Sequence, residues 1–262
     1  MPALAVPAGV RAAHPGAAFE PVWTTERTAT WRVATPGGET RYLKVAVPGG
    51  GPGIAAEAAR LRWAANFVPV PRVIESGVAS GCEWMLTAEL AGTPAIAPGL
   101  IAEPDRLAHA IGRGLRRFHD TLPVAACPFD ARTETLLARA HARAAAGAID
   151  PAAFHREHAA FDVADALAEL DRLRPAGEGG LVVCHGDACY PNFVIGAGGE
   201  VSGYLDLGEL GIGDRWWDLA AATWSTSWNL GPGFEAALLE GYGTPPDPRR
   251  QAFFRLLYDM TG

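Results

Sequence analysis

The chain is poor in the features that mark several common protein classes. Its 262 residues hold four cysteines, Cys82, Cys127, Cys184 and Cys189, with no C-x-x-C pair among them, a pattern that speaks against a disulfide-stapled secreted scaffold and for reduced thiols. No apolar run approaches the roughly 20 residues that a membrane-spanning helix needs, and the segment from Met1 to Val10 has no charged stretch ahead of an apolar one, so no secretory leader is expected. No run of lysine or arginine is long enough to track a nucleic-acid backbone, and a net charge of -7 argues against a polyanionic partner. There is no repeat of fixed period, and no low-complexity tract beyond alanine-rich helices. What remains is a cytoplasmic protein, monomer or homodimer, with neither a membrane nor a nucleic acid as partner.

What is present suffices for one large core or two modest lobes, since 49% of the residues are hydrophobic. Trp31 to Ala34 and Arg41 to Val47 read as strands flanking the turn Pro36-Gly37-Gly38, hence a hairpin. Ile54 to Ala65 has the composition of a helix, stopped by Pro69 and Pro71. A second strand pair is expected at Arg72 to Gly77 and Glu83 to Leu90. Beyond that point helical patterns take over, at Asp105 to Leu122, Thr133 to Ala146 and Pro151 to Leu173. Short apolar strands return at Leu181 to Cys184, Asn192 to Ile195 and Val201 to Leu207, followed by helices at Trp216 to Thr226, Gly233 to Tyr242 and Pro248 to Asp259. The pattern is α+β in two lobes, a small sheet-rich one over residues 1–90 and a larger helical one over 91–262.

The chemistry concentrates in His185-Gly186-Asp187-Ala188-Cys189-Tyr190-Pro191-Asn192, directly after an apolar strand, and in Tyr204-Leu205-Asp206-Leu207-Gly208, again at a strand end. Carboxylates and amides just beyond buried strands are rigidly held with their heads free to meet a ligand. Phosphoryl transfer uses such a set economically: one carboxylate accepts the proton of an attacking hydroxyl, while Mg²⁺ and a lysine neutralise the triphosphate. Asp187 suits the base. Asn192 and Asp206 offer the hard oxygens that Mg²⁺ prefers. Lys44, between Leu43 and Val45 on a strand, can reach phosphates, and Glu57 on the next helix can pair with it. Read singly, Lys44 is an edge residue and Glu57 a solvated carboxylate; their order along the chain is what joins them.

These residues resemble the aminoglycoside phosphotransferases, above all the 3′-hydroxyl type, whose fold is similar to that of protein kinases. The likeness runs through Arg41-Tyr42-Leu43-Lys44-Val45, Glu57 to Leu61, Val68 to Val73, Cys127-Pro128-Phe129-Asp130, Val183 to Asp187, Asp206-Leu207-Gly208 and Leu256-Leu257. It implies a protein-kinase-like fold, ATP or GTP as donor, a nucleotide-binding lobe over 1–90 and a catalytic and substrate-binding lobe over 91–262. By the same resemblance Asp187 is the base, Asn192 and Asp206 hold the metal, and Lys44 and Glu57 bind phosphate. The backbone of Thr87, Ala88, Glu89 and Leu90 would receive the purine, and N–H groups around Thr28 would meet the β-phosphate although that loop lacks glycines.

The acceptor side departs from the family. Of its acidic cluster only Glu157 is left in Phe154-His155-Arg156-Glu157-His158; Glu209 stands where the relatives place an arginine; and the tail reads Tyr258-Asp259-Met260-Thr261-Gly262. With Trp228 and the other tryptophans Trp216, Trp217 and Trp224, these point to an antibiotic that is aminoglycoside-like or less cationic, for example of nucleoside type, with Glu157, Glu209, Trp228 and Asp259 as substrate contacts; Trp217 and Trp224 equally suit a core. Two alternatives stand beside this: a metabolite kinase acting on choline, homoserine or a sugar, and a non-catalytic nucleotide-binding pseudokinase. His155 and His158 are expected on a solvated face, His119 as a packed or capping residue, and His185 as an orienting group in its turn.

Overall fold

The computed structural model describes residues 4–49 and 51–262. Contacts divide the chain into two compact units, Met1–Ala91 with Gly203–Gly208, and Gly92–Ser202 with Glu209–Gly262. No helix among the described residues is long and apolar enough to cross a membrane.

The first unit is built on a sheet. Helix α1 (Ala8–Ala13) precedes β1 (Ala18–Thr24), β2 (Thr28–Ala34) and β3 (Thr40–Ala46), then come α2 (Ile54–Ala64), β4 (Val73–Ala79) and β5 (Cys82–Ala88). The strands pair antiparallel in the order β1-β2-β3-β5-β4. Alternation sets its core: Ala29, Trp31 and Val33 on β2, Leu43 and Val45 on β3, and Trp84 and Leu86 are buried together with Val10 of α1. Successive side chains on a strand point to opposite faces, so Lys44 looks away from Leu43 and Val45. Helix α2 buries Ile54, Glu57, Ala58, Leu61 and Ala64, the spacing of a single helical face with one acid in it. Asn66 closes its end, donating from Nδ2 to the Arg62 and Trp63 carbonyls at 3.2 and 2.9 Å.

The second unit is mainly helical. It contains β6 (Thr93–Pro94), α3 (Pro98–Ile101), α4 (Pro104–Thr121), α5 (Thr133–Ala145), α6 (Val163–Leu173), β7 (Leu181–Cys184), β8 (Phe193–Ile195), the start of β9 (Val201–Tyr204), β10 (Gly211–Asp214), α7 (Arg215–Leu230), α8 (Glu235–Tyr242) and α9 (Pro248–Thr261). The α+β architecture read from the sequence, sheet-rich first and helical after, is what the structure has. Leu107, Ile111, Leu115 and Phe118 form the buried stripe of α4, each such side chain contributing roughly 1.5–3 kcal/mol. Asp214 and Asp247 cap α7 and α9, accepting the Trp216 and Arg250 N–H at 2.9 and 3.0 Å.

Two local expectations need correction, and one strand was not expected. A single helix over Pro151 to Leu173 is replaced by 3₁₀ turns at Pro151–Ala153 and Arg156–His158, with α6 starting only at Val163. Two aspartates reset the chain there: Asp150 accepts the Ala152 N–H at 3.0 Å and Asp162 the Asp165 N–H at 2.8 Å. The strand expected over Val201 to Leu207 ends at Tyr204, because Asp206 sits at φ 54, in the left-handed region where a strand cannot continue. Strand β10 was not legible, since Gly211 and Gly213 are poor strand formers. It pairs antiparallel with β7 nonetheless, and a Cβ on Gly213 would lie 2.5 Å from the Ala131 carbonyl oxygen.

Candidate active site

In the first unit, β3, α2 and the segment after β9 assemble an ionic trio. Lys44 Nζ donates to Glu57 Oε2 at 2.8 Å and to Asp206 Oδ1 at 2.9 Å. Asp206 is brought there by its own segment, since the Tyr204 N–H donates to the Pro69 carbonyl at 3.1 Å. The Glu57 side chain is 7% exposed and that of Asp206 45%. Burial alone would push the Lys44 pKa down, but the Asp206 and Glu57 charges outweigh it and hold the ammonium above its ordinary value. Burial, and then the Asp206 charge, push the Glu57 carboxyl up. One cation facing two carboxylates leaves an excess negative charge, and of the two carboxylates Asp206 is the exposed one. An oxygen donor of that kind, on a residue held at a left-handed φ, fits a hard divalent cation such as Mg²⁺.

The residues expected around the nucleotide lie in the same unit. Thr87 pairs with Tyr42 across β5 and β3. The Ala88 N–H is taken by the Arg72 carbonyl at 2.9 Å and the Glu89 N–H by the Thr40 carbonyl at 3.2 Å, so neither donor is open to a base. Leu90 packs against Gly203. At the β1–β2 turn, Thr25 Oγ1 accepts the Arg27 and Thr28 N–H at 3.2 and 3.0 Å and lies 2.9 Å from the Thr28 hydroxyl. That turn is closed on itself.

In the second unit, β7 delivers His185-Gly186-Asp187 at its carboxyl end. Gly186 has φ 90, and a Cβ there would collide with the Glu209 backbone, so only glycine serves. The turn hangs on Asp218, a fully buried carboxylate in the first turn of α7. Asp218 Oδ2 accepts the His185 N–H at 2.6 Å and His119 Nε2 at 2.8 Å, and Oδ1 accepts the Gly186 N–H at 2.8 Å. His119 Nδ1 in turn accepts from Tyr242 Oη at 2.9 Å. A carboxylate near a helix N-terminus with three N–H donors is well placed. His185 Nδ1 accepts the Asp187 N–H at 3.3 Å, which puts the imidazole proton on Nε2, an atom without a partner among the described residues. The imidazole therefore shapes the turn, in the orienting role expected of it.

Asp187 is half-buried and both its carboxylate oxygens are engaged. Asn192 Nδ2 donates to Asp187 Oδ2 and to the Asp187 carbonyl, each at 2.9 Å, and Tyr258 Oη donates to Oδ1 at 2.9 Å. With its nitrogen so committed, the Asn192 amide turns its oxygen to the other side, where it can serve a cation. Each carboxylate oxygen keeps a second lone pair. Asp187 can therefore still accept a proton.

The acceptor-side residues are largely tied to one another. Glu157 accepts from Trp224 Nε1 at 2.9 Å and Arg255 Nη1 at 3.3 Å, and Glu209 from Arg139 at 2.8 Å. Asp259 is covered, its side chain 2% exposed, and it clasps both His155 and His158, the latter at 2.6 Å. The solvated face expected for His155 and His158 fails for His158, which Asp259, 101 residues on, holds inward, while His155 keeps 35% of its side chain exposed. Trp216, Trp217 and Trp224 are buried, whereas Trp228 is 50% exposed and stacks on His155 with centroids 4.7 Å apart.

Of the expected site residues, Lys44, Glu57 and Asp206 come together in the first unit, and Asp187 and Asn192 in the second. Sequence reasoning missed Asp218 and the bond of Tyr258 to Asp187. The only signal for Asp218 was an acid in the opening turn of an otherwise apolar helix; none pointed to Tyr258.

Residues 19–254 match the phosphotransferase enzyme family. Over 237 residues the chain is 36% identical to streptomycin 3''-kinase of Streptomyces griseus, covering 85% of each sequence. The solved structure of an aminoglycoside-3'-phosphotransferase of type VIII is similar at a TM-score of 0.84 and 33% identity, over 96% of both chains. An aminoglycoside phosphotransferase of Streptomyces rimosus, solved with ADP and streptomycin, is similar at a TM-score of 0.79 and 27% identity, over 97% of this chain and 96% of that one.

Proposed function

The chain belongs to the phosphotransferase enzyme family, and from that membership we propose that it moves the γ-phosphate of a nucleoside triphosphate to a hydroxyl group of an aminoglycoside antibiotic. The observation that carries the reading is the Asp187 carboxylate, held at both oxygens on a turn fastened to Asp218. Support for the donor and acceptor comes from the Streptomyces relatives, one a streptomycin kinase and one solved with ADP and streptomycin.

In this mechanism Asp187 takes the proton of the acceptor hydroxyl as its oxygen bonds to the γ-phosphorus, and the bond from that phosphorus to the bridging oxygen breaks to release the diphosphate. Lys44, fixed by Glu57, contacts the phosphates. Asp206 and Asn192 are the residues that would hold magnesium, which when bound neutralises triphosphate charge. Residues 1–90 serve the nucleotide, and 91–262 carry the base, the residues that would hold magnesium and the acceptor contacts. Thr28 and the backbone from Thr87 to Leu90 are the proposed nucleotide contacts.

A less cationic acceptor is favoured by one observation: Glu157, Glu209 and Asp259 already pair within the protein, which leaves them weak partners for ligand ammonium groups, while half of Trp228 stays exposed. Incubation with Mg²⁺, ATP or GTP, and streptomycin, kanamycin or the nucleoside antibiotic puromycin tests both readings. A mass gain of one phosphate on an aminoglycoside supports the first, and on puromycin the second; unmodified compounds throughout would reject both.

A further inference from the structure

Resting on Asp187 as the base, we propose that Tyr258 is a positioning residue that fixes the plane of the Asp187 carboxylate for proton transfer. A carboxylate on a half-buried turn rotates readily about its last torsion, which is broad and roughly two-fold. The Asn192 bond to Oδ2, at 2.9 Å, secures one end of the group, and a single anchor leaves the other end free to swing. Tyr258 Oη, at 2.9 Å from Oδ1, secures that second end from an element 71 residues further along the chain. These two bonds, with the Cys189 thiol beside the same carboxylate, define one orientation.

The anchor is itself held. Tyr258 lies on α9 with its ring against Trp217 and Trp224, at centroid distances of 5.7 and 6.3 Å, the second edge-to-face. The next residue, Asp259, is clasped by His155 and His158. Burial first, then the neighbouring Asp187 charge and Cys189, keep the phenol pKa well above its ordinary value, so the hydroxyl stays a donor. Such a device acts on the approach of acceptor to base, which is a matter of orientation and therefore of kcat.

The test is steady-state kinetics of Tyr258→Phe, Asp187→Asn and the double variant, with MgATP and streptomycin, kanamycin or puromycin as acceptors. Phenylalanine keeps the ring packing and removes only the donor. The expected result is a kcat lowered about 10- to 100-fold, with both KM values within about twofold of the parent, and no further loss when Tyr258→Phe is added to Asp187→Asn. An unchanged kcat in Tyr258→Phe, or a loss that is as large in the Asp187→Asn background, overturns the positioning role while leaving the base assignment intact. An Asp187→Asn enzyme with parental turnover, or a parent that phosphorylates none of the three compounds, overturns the proposed function and this inference with it. Equal losses in kcat and in affinity for nucleotide would mark Tyr258 as merely structural and also overturn it.

Discussion

Asp218→Asn is the most instructive single substitution, because it exchanges one buried carboxylate oxygen of the second unit for an NH₂ group and changes almost no volume. The carboxylate accepts three N–H donors, from His185 at 2.6 Å, Gly186 at 2.8 Å and His119 at 2.8 Å. An asparagine has one acceptor oxygen. Placed at the Oδ2 position it keeps the His185 and His119 bonds but turns its NH₂ group toward the Gly186 N–H, donor against donor. Leaving one buried donor unpaired costs about 1–3 kcal/mol, and turning two charge-assisted bonds into neutral ones costs about 1 kcal/mol each. The sum is about 3–5 kcal/mol, the range typical of breaking a buried ionic contact. For a chain of this size that corresponds to a melting temperature about 6–20 °C lower. Circular dichroism during thermal and urea unfolding measures it, and phosphate transfer should fall as well, because the same bonds hold the turn that carries Asp187. A stability loss under about 1 kcal/mol, or full activity in the variant, would refute the claim that Asp218 anchors the turn.

Other outcomes follow from the same geometry. Gly186→Ala forces a Cβ into the Glu209 backbone at φ 90, so a loss of at least about 2 kcal/mol in unfolding free energy is expected, and an alanine variant as stable as the parent would contradict the described turn. Lys44→Ala leaves Glu57 and Asp206 facing one another without their cation; nucleotide affinity measured by calorimetry should drop about 10- to 100-fold, whereas unaltered binding would remove Lys44 from the phosphate site.

The sequence made some of this legible and hid the rest for physical reasons. Lys44 and Glu57 could be read only from their order along the chain, a strand lysine and a helix acid ahead of the turn at His185 and of Asp206, since local pattern alone makes one an edge residue and the other a solvated acid. His185, Gly186 and Asp187 stood out because they follow an apolar strand directly. Asp218 and Tyr258 meet that turn from 32 and 71 residues away along the chain, so no periodicity registers them. The clasp of Asp259 on His158 is equally remote, which is why that histidine looked solvated. The stretch from Pro151 looked like one continuous helix because the Asp150 and Asp162 side-chain bonds that reset it leave no mark on periodicity. β10 escaped for a different reason: its glycines answer to the space left by Ala131 and not to strand propensity.

The account rests on a carboxylate at residue 187 taking a proton from an alcohol as phosphate is transferred to it. The most direct measurement follows transfer of labelled γ-phosphate from MgATP to streptomycin, kanamycin or puromycin by the parent enzyme and by Asp187→Ala, with nucleotide affinity determined in parallel. The parent should phosphorylate an antibiotic, and Asp187→Ala should lose most of kcat while binding nucleotide about as tightly. An Asp187→Ala enzyme that turns over at the parental rate would contradict the account.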